Sequence, residues 1–253
     1  MQYTDARMSG IKKPIKPDAI LWDFDGTLAN SAAKNIAITK QILARVAPRL
    51  TGDNLPEALN SEAKYLVANH AAENWRELYQ DYFGMTDEET ERAAPLWEPY
   101  QLSDQTGVPL FEGVVETIRH LSCFPQGICS ANATQNIRQV LHNNGIGSAF
   151  GAIIGYEGLP HHQQKPAPDG GLKCLGEMLS KIRDINVICI GDHLADVLFA
   201  RGLADRLGPS SSVVSIVVTH SGAEPHLWRA QPDLVIENPA ALVDLVHARD
   251  QAI

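Results

Sequence analysis

The sequence predicts an α/β fold: an open, mostly parallel, Rossmann-like sheet with an all-helical domain inserted after its first strand. Three observations carry this. Short apolar runs recur along the chain, separated by segments of helical periodicity. The runs are continuous rather than alternating, which suits parallel strands covered on both faces. One interval, from about Ala32 to Val108, breaks the rhythm and has helical periodicity without a good strand.

The elements follow in order. AILWD (Ala19–Asp23) reads as the first strand, GICS (Gly127–Ser130) as the second and AIIG (Ala152–Gly155) as the third. NVICIGD (Asn186–Asp192), VVSIVV (Val213–Val218) and DLVIE (Asp233–Glu237) complete the set. Between them lie GVVETIRHLS, ATQNIRQVLHNNG with its stop at Gly145, a segment from about Asp169 to Ile182, and ADVLFARGLA. Strand and helix in repetition give an α/β sheet. In the insert, NIAITKQILARVAPRL and ENWRELYQDYF carry the helical pattern, and Trp75, Tyr79, Tyr82 and Phe83 read as its core. The chain thus divides into a flexible lead-in at 1–17, a core domain formed by 18–31 and 109–253, and a helical cap at 32–108.

Composition narrows the function. A chain of 253 residues, 44% hydrophobic and 20% charged, has room for a core domain and an inserted one. A net charge of −9 with no stripe of Lys or Arg argues against nucleic acid as a partner. A small anionic ligand needs only a local positive site. None of the four cysteines forms a CxxC pair, and Cys129 and Cys189 sit in apolar runs, where a free thiol behaves as a small hydrophobe. A reducing, cytoplasmic setting without disulfides is expected. No stretch approaches the roughly 18 apolar residues of a membrane span, and MQYTDARMSGIKKPIKP lacks an apolar signal core.

In open α/β sheets, ligands bind beyond the carboxyl ends of the strands. The first strand ends in Asp23, Asp25, Gly26 and Thr27, and the second in Ser130, Ala131 and Asn132. The loop after the third carries HHQQKPAPDG with Lys165, and the fourth ends in GDHLAD with Asp192 and Asp196. Several carboxylates, a lysine and a hydroxyl converge on one edge. Clustered carboxylates repel and lose solvation, so a hard divalent cation such as Mg2+ is the expected compensation. Gly26 lets the backbone turn sharply, and amides of the strand-to-turn loop can donate to anionic oxygens.

DFDGT at 23–27, Ser130 after a strand, KPAPD at 165–169 and GDHLAD at 191–196 occur in the order of the haloacid dehalogenase superfamily. The chain resembles its phosphoglycolate phosphatase-like members with a helical cap, over about residues 18 to 245. The resemblance implies that Asp23 is the nucleophile forming an aspartyl-phosphate. Asp25 is then the general acid and base, and its backbone carbonyl a metal ligand. Ser130, with the amide of Ala131 beside it, binds phosphate, and Lys165 neutralises charge between Asp23 and the phosphoryl oxygens. Asp192 is a direct Mg2+ ligand, and Asp196 is a second acidic position, as ligand or as holder of a water. Gly26, Thr27 and Asn132 join the phosphate-binding set.

The implied activity is Mg2+-dependent hydrolysis of a small phosphorylated metabolite, phosphoglycolate-like or a sugar phosphate, by a monomer or homodimer. Transfer of the β-phosphoglucomutase type is the alternative, and a non-catalytic phosphate-binding module a more remote one. The second motif reads SANA, not the TNK often seen in phosphoglycolate phosphatases, and partly resembles the SAS of the phosphoglucomutase branch. Glu112 stands where the family often has proline. His161, His162 and His193 read as loop residues rather than ligands, and Cys129 as a packed strand thiol. Ser130 could also cap the helix that follows it, and Asp196 could be a first-turn acid favoured by a helix dipole.

Overall fold

The computed structural model describes residues 16–247. The expected lead-in lies outside the described residues except for Lys16 and Pro17. Six strands form one sheet: β1 (Ala19–Trp22), β2 (Gln126–Cys129), β3 (Ala152–Ile154), β4 (Asn186–Gly191), β5 (Ser212–Val218) and β6 (Leu234–Ile236). Their order is β3-β2-β1-β4-β5-β6 and every pairing is parallel. β1 lies between β2 and β4, where the winding direction reverses, so the crevice at its carboxyl end is the place for a ligand.

The continuous apolar runs are explained by burial on both faces. Ile20 and Trp22 of β1, Ile188 and Ile190 of β4, and Ile216 and Val218 of β5 enter one core. α6 (Val114–His120), α7 (Thr134–Asn143) and α10 (Ala241–His247) cover that face. The alternate residues Ala19, Leu21, Val187 and Cys189 enter a second core under α8 (Asp169–Met178) and α9 (Leu194–Leu207). Trp22 is buried, and its indole N–H donates to Gln126 Oε1 at 3.0 Å, so the polar end of a large apolar residue is satisfied.

The insert is helical: α1 (Ala32–Val46), α2 (Glu62–Ala71), α3 (Trp75–Glu77) running into a π-turn at Leu78–Tyr82, α4 (Asp87–Ala93) and α5 (Trp97–Ser103), joined by short 3-10 turns. Three of its helix starts are locally encoded. Ser61 accepts from the Lys64 amide, Asn74 from the Arg76 and Glu77 amides, and Thr86 and Glu89 form a capping box. Ile38, Ile42, Leu43, Tyr65, Tyr79 and Phe83 build its own core. The two chain passes at its base pair with each other: the Asn30 amide donates to Pro109 O and the Phe111 amide to Leu28 O.

Four local expectations are corrected. Trp75 and Tyr82 are each 37% exposed, because the aromatic run turns only Tyr79 and Phe83 inward. The helix expected to reach Ile182 ends at Met178, where Leu179 turns extended to bring the chain back to β4. α7 begins at Thr134 behind Ala133, too far on for Ser130 to cap it. The first strand stops at Trp22, which leaves Asp23 in the loop beyond it. Among the described residues no helix is long and apolar enough to cross a membrane.

Candidate active site

The site is built where β1 and β4 end side by side. The Asp23 amide donates to Ile190 O at 2.8 Å, which locks the two strand tips together. Buried Phe24 and Leu28 anchor the turn that follows. Gly26 has φ +79, and a Cβ there would fall 2.0 Å from Asp192 Oδ2. It therefore supplies both a left-handed turn and a close approach that a side chain would block. At Gly191 the issue is space alone, since a Cβ would lie 2.1 Å from Asp196 Cγ.

Asp23, Asp192 and Asp196 are all buried, and each brings an oxygen within 4.8 Å of the others. Lys165 lies between two of them, with Nζ 2.8 Å from Asp23 Oδ1 and 2.6 Å from Asp196 Oδ1. The Phe199 ring backs the ammonium at 5.2 Å. Three carboxylates against one ammonium leave negative charge uncompensated. Burial pushes the Asp23 carboxyl well above the usual range; Lys165 opposes this, while Asp196 and Asp192 reinforce it. Burial would lower Lys165, but Asp196 and Asp23 outweigh it and hold the ammonium above its ordinary value. Asp192 behaves oppositely to Asp23. Burial would raise it, yet hydrogen bonding to His70, the proximity of His70 and His193, and the Ser221 hydroxyl hold it below the usual range. An all-oxygen, buried, electron-rich trio suits a hard cation such as Mg2+.

Asp25 is outside that trio. Both of its carboxylate oxygens accept from Asn132 Nδ2, at 3.0 and 2.8 Å. Burial raises its pKa, and hydrogen bonds from Ser31 and Asn132 oppose the shift. Ser130 is buried, and its Oγ accepts from the Asn132 amide at 3.2 Å, so β2 delivers the Ser130–Asn132 turn to the same edge. Ala131 is exposed on that turn. Thr27, expected at the phosphate, directs its hydroxyl to Asp192 Oδ1 at 3.4 Å. Asp196 uses its two oxygens differently: Oδ1 meets Lys165, while Oδ2 accepts from the His193 amide as part of the α9 capping box. The expected site residues thus gather at one sheet edge, and Asp25 is held apart from the cluster.

The histidines divide. His161 and His162 are exposed. His193 caps α9 through Nδ1 and turns Nε2 to the carbonyls of Asn69 and Ala72 in the insert. Cys129 and Cys189 are buried, and burial pushes the Cys189 thiol up. Four contributors were not singled out in the sequence. His70 on α2 places Nε2 2.9 Å from Asp192 Oδ2, and Ser221 donates to the same oxygen at 2.9 Å. Asn136 donates to Asn132 Oδ1 at 3.0 Å and accepts from the buried Lys34 ammonium at 3.3 Å. Lys34 carried a readable signal: it shares the stripe of Ile38 and Ile42 on α1, a core register that a surface lysine avoids. Ser221 follows a strand end, and His70 had no local mark.

The chain belongs to the haloacid dehalogenase-like hydrolases, whose family model matches residues 20–204. Phosphoglycolate phosphatase 1 of Pseudomonas aeruginosa is 27% identical over 241 residues, covering 93% of this chain and 81% of that protein. N-acetylmuramic acid 6-phosphate phosphatase of Pseudomonas putida is 23% identical over 232 residues, covering 88% and 93%. The solved structure of a haloacid dehalogenase-like family hydrolase from Streptococcus pneumoniae superposes with a TM-score of 0.62 at 19% identity, covering 89% of this chain and 96% of that one. That likeness speaks to the fold.

Proposed function

We propose that this hydrolase is a Mg2+-dependent phosphatase that releases phosphate from a small phosphorylated metabolite through an aspartyl-phosphate on Asp23. One observation carries the reading: a buried carboxylate held by a lysine ammonium at the strand tips, with a second carboxylate two residues on bonded to a neutral amide. Two relatives named as phosphatases of phosphoglycolate and of N-acetylmuramic acid 6-phosphate support it. They suggest a phosphorylated carboxylic acid or sugar acid as substrate.

Asp23, Asp192 and the Asp25 backbone carbonyl would hold Mg2+, with Asp196 as ligand or holder of a water. Mg2+, when bound, neutralises phosphoryl oxygens and offsets repulsion among the carboxylates. An Asp23 oxygen attacks phosphorus as the bond from phosphorus to the leaving oxygen breaks, and Asp25 gives that oxygen its proton. Asp25 then takes a proton from water. The water oxygen attacks phosphorus, the bond to Asp23 breaks, and inorganic phosphate leaves. Lys165 stabilises charge on the phosphoryl oxygens throughout, and Ser130 and the amide of Ala131 bind them. The block at 32–108 acts as a cap that excludes water and selects the leaving group.

The test is a panel of phosphorylated metabolites, including phosphoglycolate and amino-sugar 6-phosphates, scored for free phosphate with Mg2+ and with excess chelator. Release on at least one substrate is expected, lost in chelator and in a folded Asp23→Asn variant. Turnover that survives either condition overturns the scheme.

A further inference from the structure

The insert and the candidate metal loop hold each other by two histidines pointing in opposite directions. His70, in the last turn of α2, reaches into the core to Asp192. His193, between Asp192 and Asp196, reaches out to the end of α2, with Nε2 3.1 Å from Asn69 O and 2.9 Å from Ala72 O. We propose that His70 is a positioning residue for Asp192, so that docking of α2 completes the cation site. This rests on the reading of Asp192 as a metal ligand.

The geometry argues for it in three ways. Asp192 Oδ2 is occupied: His70 Nε2 and Ser221 Oγ both lie 2.9 Å from it. Among the described residues, Oδ1 has only the long 3.4 Å hydrogen bond from the Thr27 hydroxyl. The carboxylate is thereby turned so that one oxygen is tied to protein donors and the other is left for a cation. Donors behind a ligating carboxylate are the usual means of fixing its orientation. Second, the hydrogen positions are determined. A carboxylate only accepts, so His70 must carry its hydrogen on Nε2. Likewise the Ala195 amide donates to His193 Nδ1, which leaves the His193 hydrogen on Nε2 for the two carbonyls. Third, those carbonyls lie in the closing turn of α2, where backbone acceptors lack helical partners. His193 therefore satisfies a helix end that would otherwise be buried against the core. The outer Arg229–Glu73 pair, at 2.7 Å, joins the same two surfaces but is exposed and contributes little.

A coupling follows. If the docked α2 orients Asp192 for a cation, a bound cation must favour the docked α2 by the same factor. Cation binding and closure of the insert become one equilibrium.

The experiment measures Mn2+ binding directly, by electron paramagnetic resonance of free Mn2+, without substrate. The proteins are wild type, His70→Ala, His70→Gln, His70→Asn and Asp192→Asn. Asp192→Asn should lose binding. His70→Ala and His70→Asn should bind about 10–100-fold more weakly, as for other losses behind a metal ligand. His70→Gln should recover most of the affinity, because its amide N–H reaches the position of imidazole Nε2, whereas the shorter Asn does not. If His70→Ala fails to fold, the Gln and Asn pair decides. Equal affinity in those two, or in wild type and His70→Ala, overturns the inference while leaving the metal site intact. Tighter binding without His70 would mean that it competes for the carboxylate, and also overturns it. Binding by Asp192→Asn equal to wild type would instead remove the metal reading itself.

Discussion

Asp23 and Asp25 lie two residues apart, yet their surroundings differ in kind. Asp23 meets a lysine ammonium and two further carboxylates; Asp25 meets the amide of Asn132. Burial raises the pKa of both, but only Asp23 has a cation in contact to favour its ionised form. Two carboxyl groups in separate environments can divide nucleophile and proton donor between them. Asp23→Asn is expected to abolish turnover with every substrate. Asp25→Asn should depend on the leaving group. On an alkyl phosphate it should lose on the order of 10²–10⁴-fold, the usual worth of general acid catalysis. An aryl phosphate of an acidic phenol needs little protonation, so its first step is partly spared while water attack still lacks a base. Rapid acid quench and mass spectrometry of Asp25→Asn with that substrate should then find phosphate on Asp23. Equal losses on both substrates, with no phosphoenzyme, would refute the division of labour.

Among the elements, α1 is tied to the strand-end edge that carries Asp25 by a chain of side chains. The Lys34 ammonium donates to Asn136 Oδ1 on α7, Asn136 Nδ2 to Asn132 Oδ1, and Asn132 Nδ2 to Asp25. Lys34 also holds the carbonyl of Asp104, where the insert returns toward the core. Burial lowers its pKa, against the pull of Asp104 and Asp25. Asn136→Ala cuts this chain without touching Asp25 or the phosphate contacts. We expect kcat on an alkyl phosphate to fall roughly tenfold, the size of one lost hydrogen bond within a charged network, with KM nearly unchanged. Steady-state kinetics on alkyl and aryl phosphates check it, since the aryl substrate should be hurt less. This network also marks what the sequence could reveal. The strands were legible because burial on both faces leaves an apolar run, and the positions of Asp23, Asp25, Lys165 and Asp192 because each stands at a strand end or in the loop after one, with Asp196 in the first turn of the helix that follows. His70 was not legible, because its partner Asp192 is 122 positions away and only packing of the insert unites them. Trp75 and Tyr82 were misread for a related reason: helical spacing says which residues share a face, not which face is covered.

At the scale of the whole molecule, the proposed cation site would tie stability both to pH and to a cation. Asp23 has a folded-state pKa above its ordinary value of 3.8, so the folded protein takes up a proton that the unfolded chain releases. In cation-free protein its contribution to stability therefore declines as pH rises from about 4 through the raised value. Asp192 is shifted the other way, and its contribution is fully present above its ordinary value of 3.8. It adds no slope above that value, so the decline with rising pH comes from Asp23 together with Asp25, whose carboxyl burial also raises. In the proposed site, Mg2+ would require Asp23 to be ionised and so would compete with the proton. Mg2+ at about 100 times its dissociation constant should stabilise by about 2.7 kcal/mol. For a chain of this size that corresponds to a rise in Tm on the order of 5–10 °C. We expect the full rise at pH 8 and a smaller one at pH 5, with ionic strength matched by sodium chloride. Differential scanning fluorimetry of wild type and Asp192→Asn, in Mg2+ and in chelator, measures it. An equal rise at both pH values, or a rise in Asp192→Asn matching wild type, would show that the cation acts elsewhere than on the carboxylates at the strand ends.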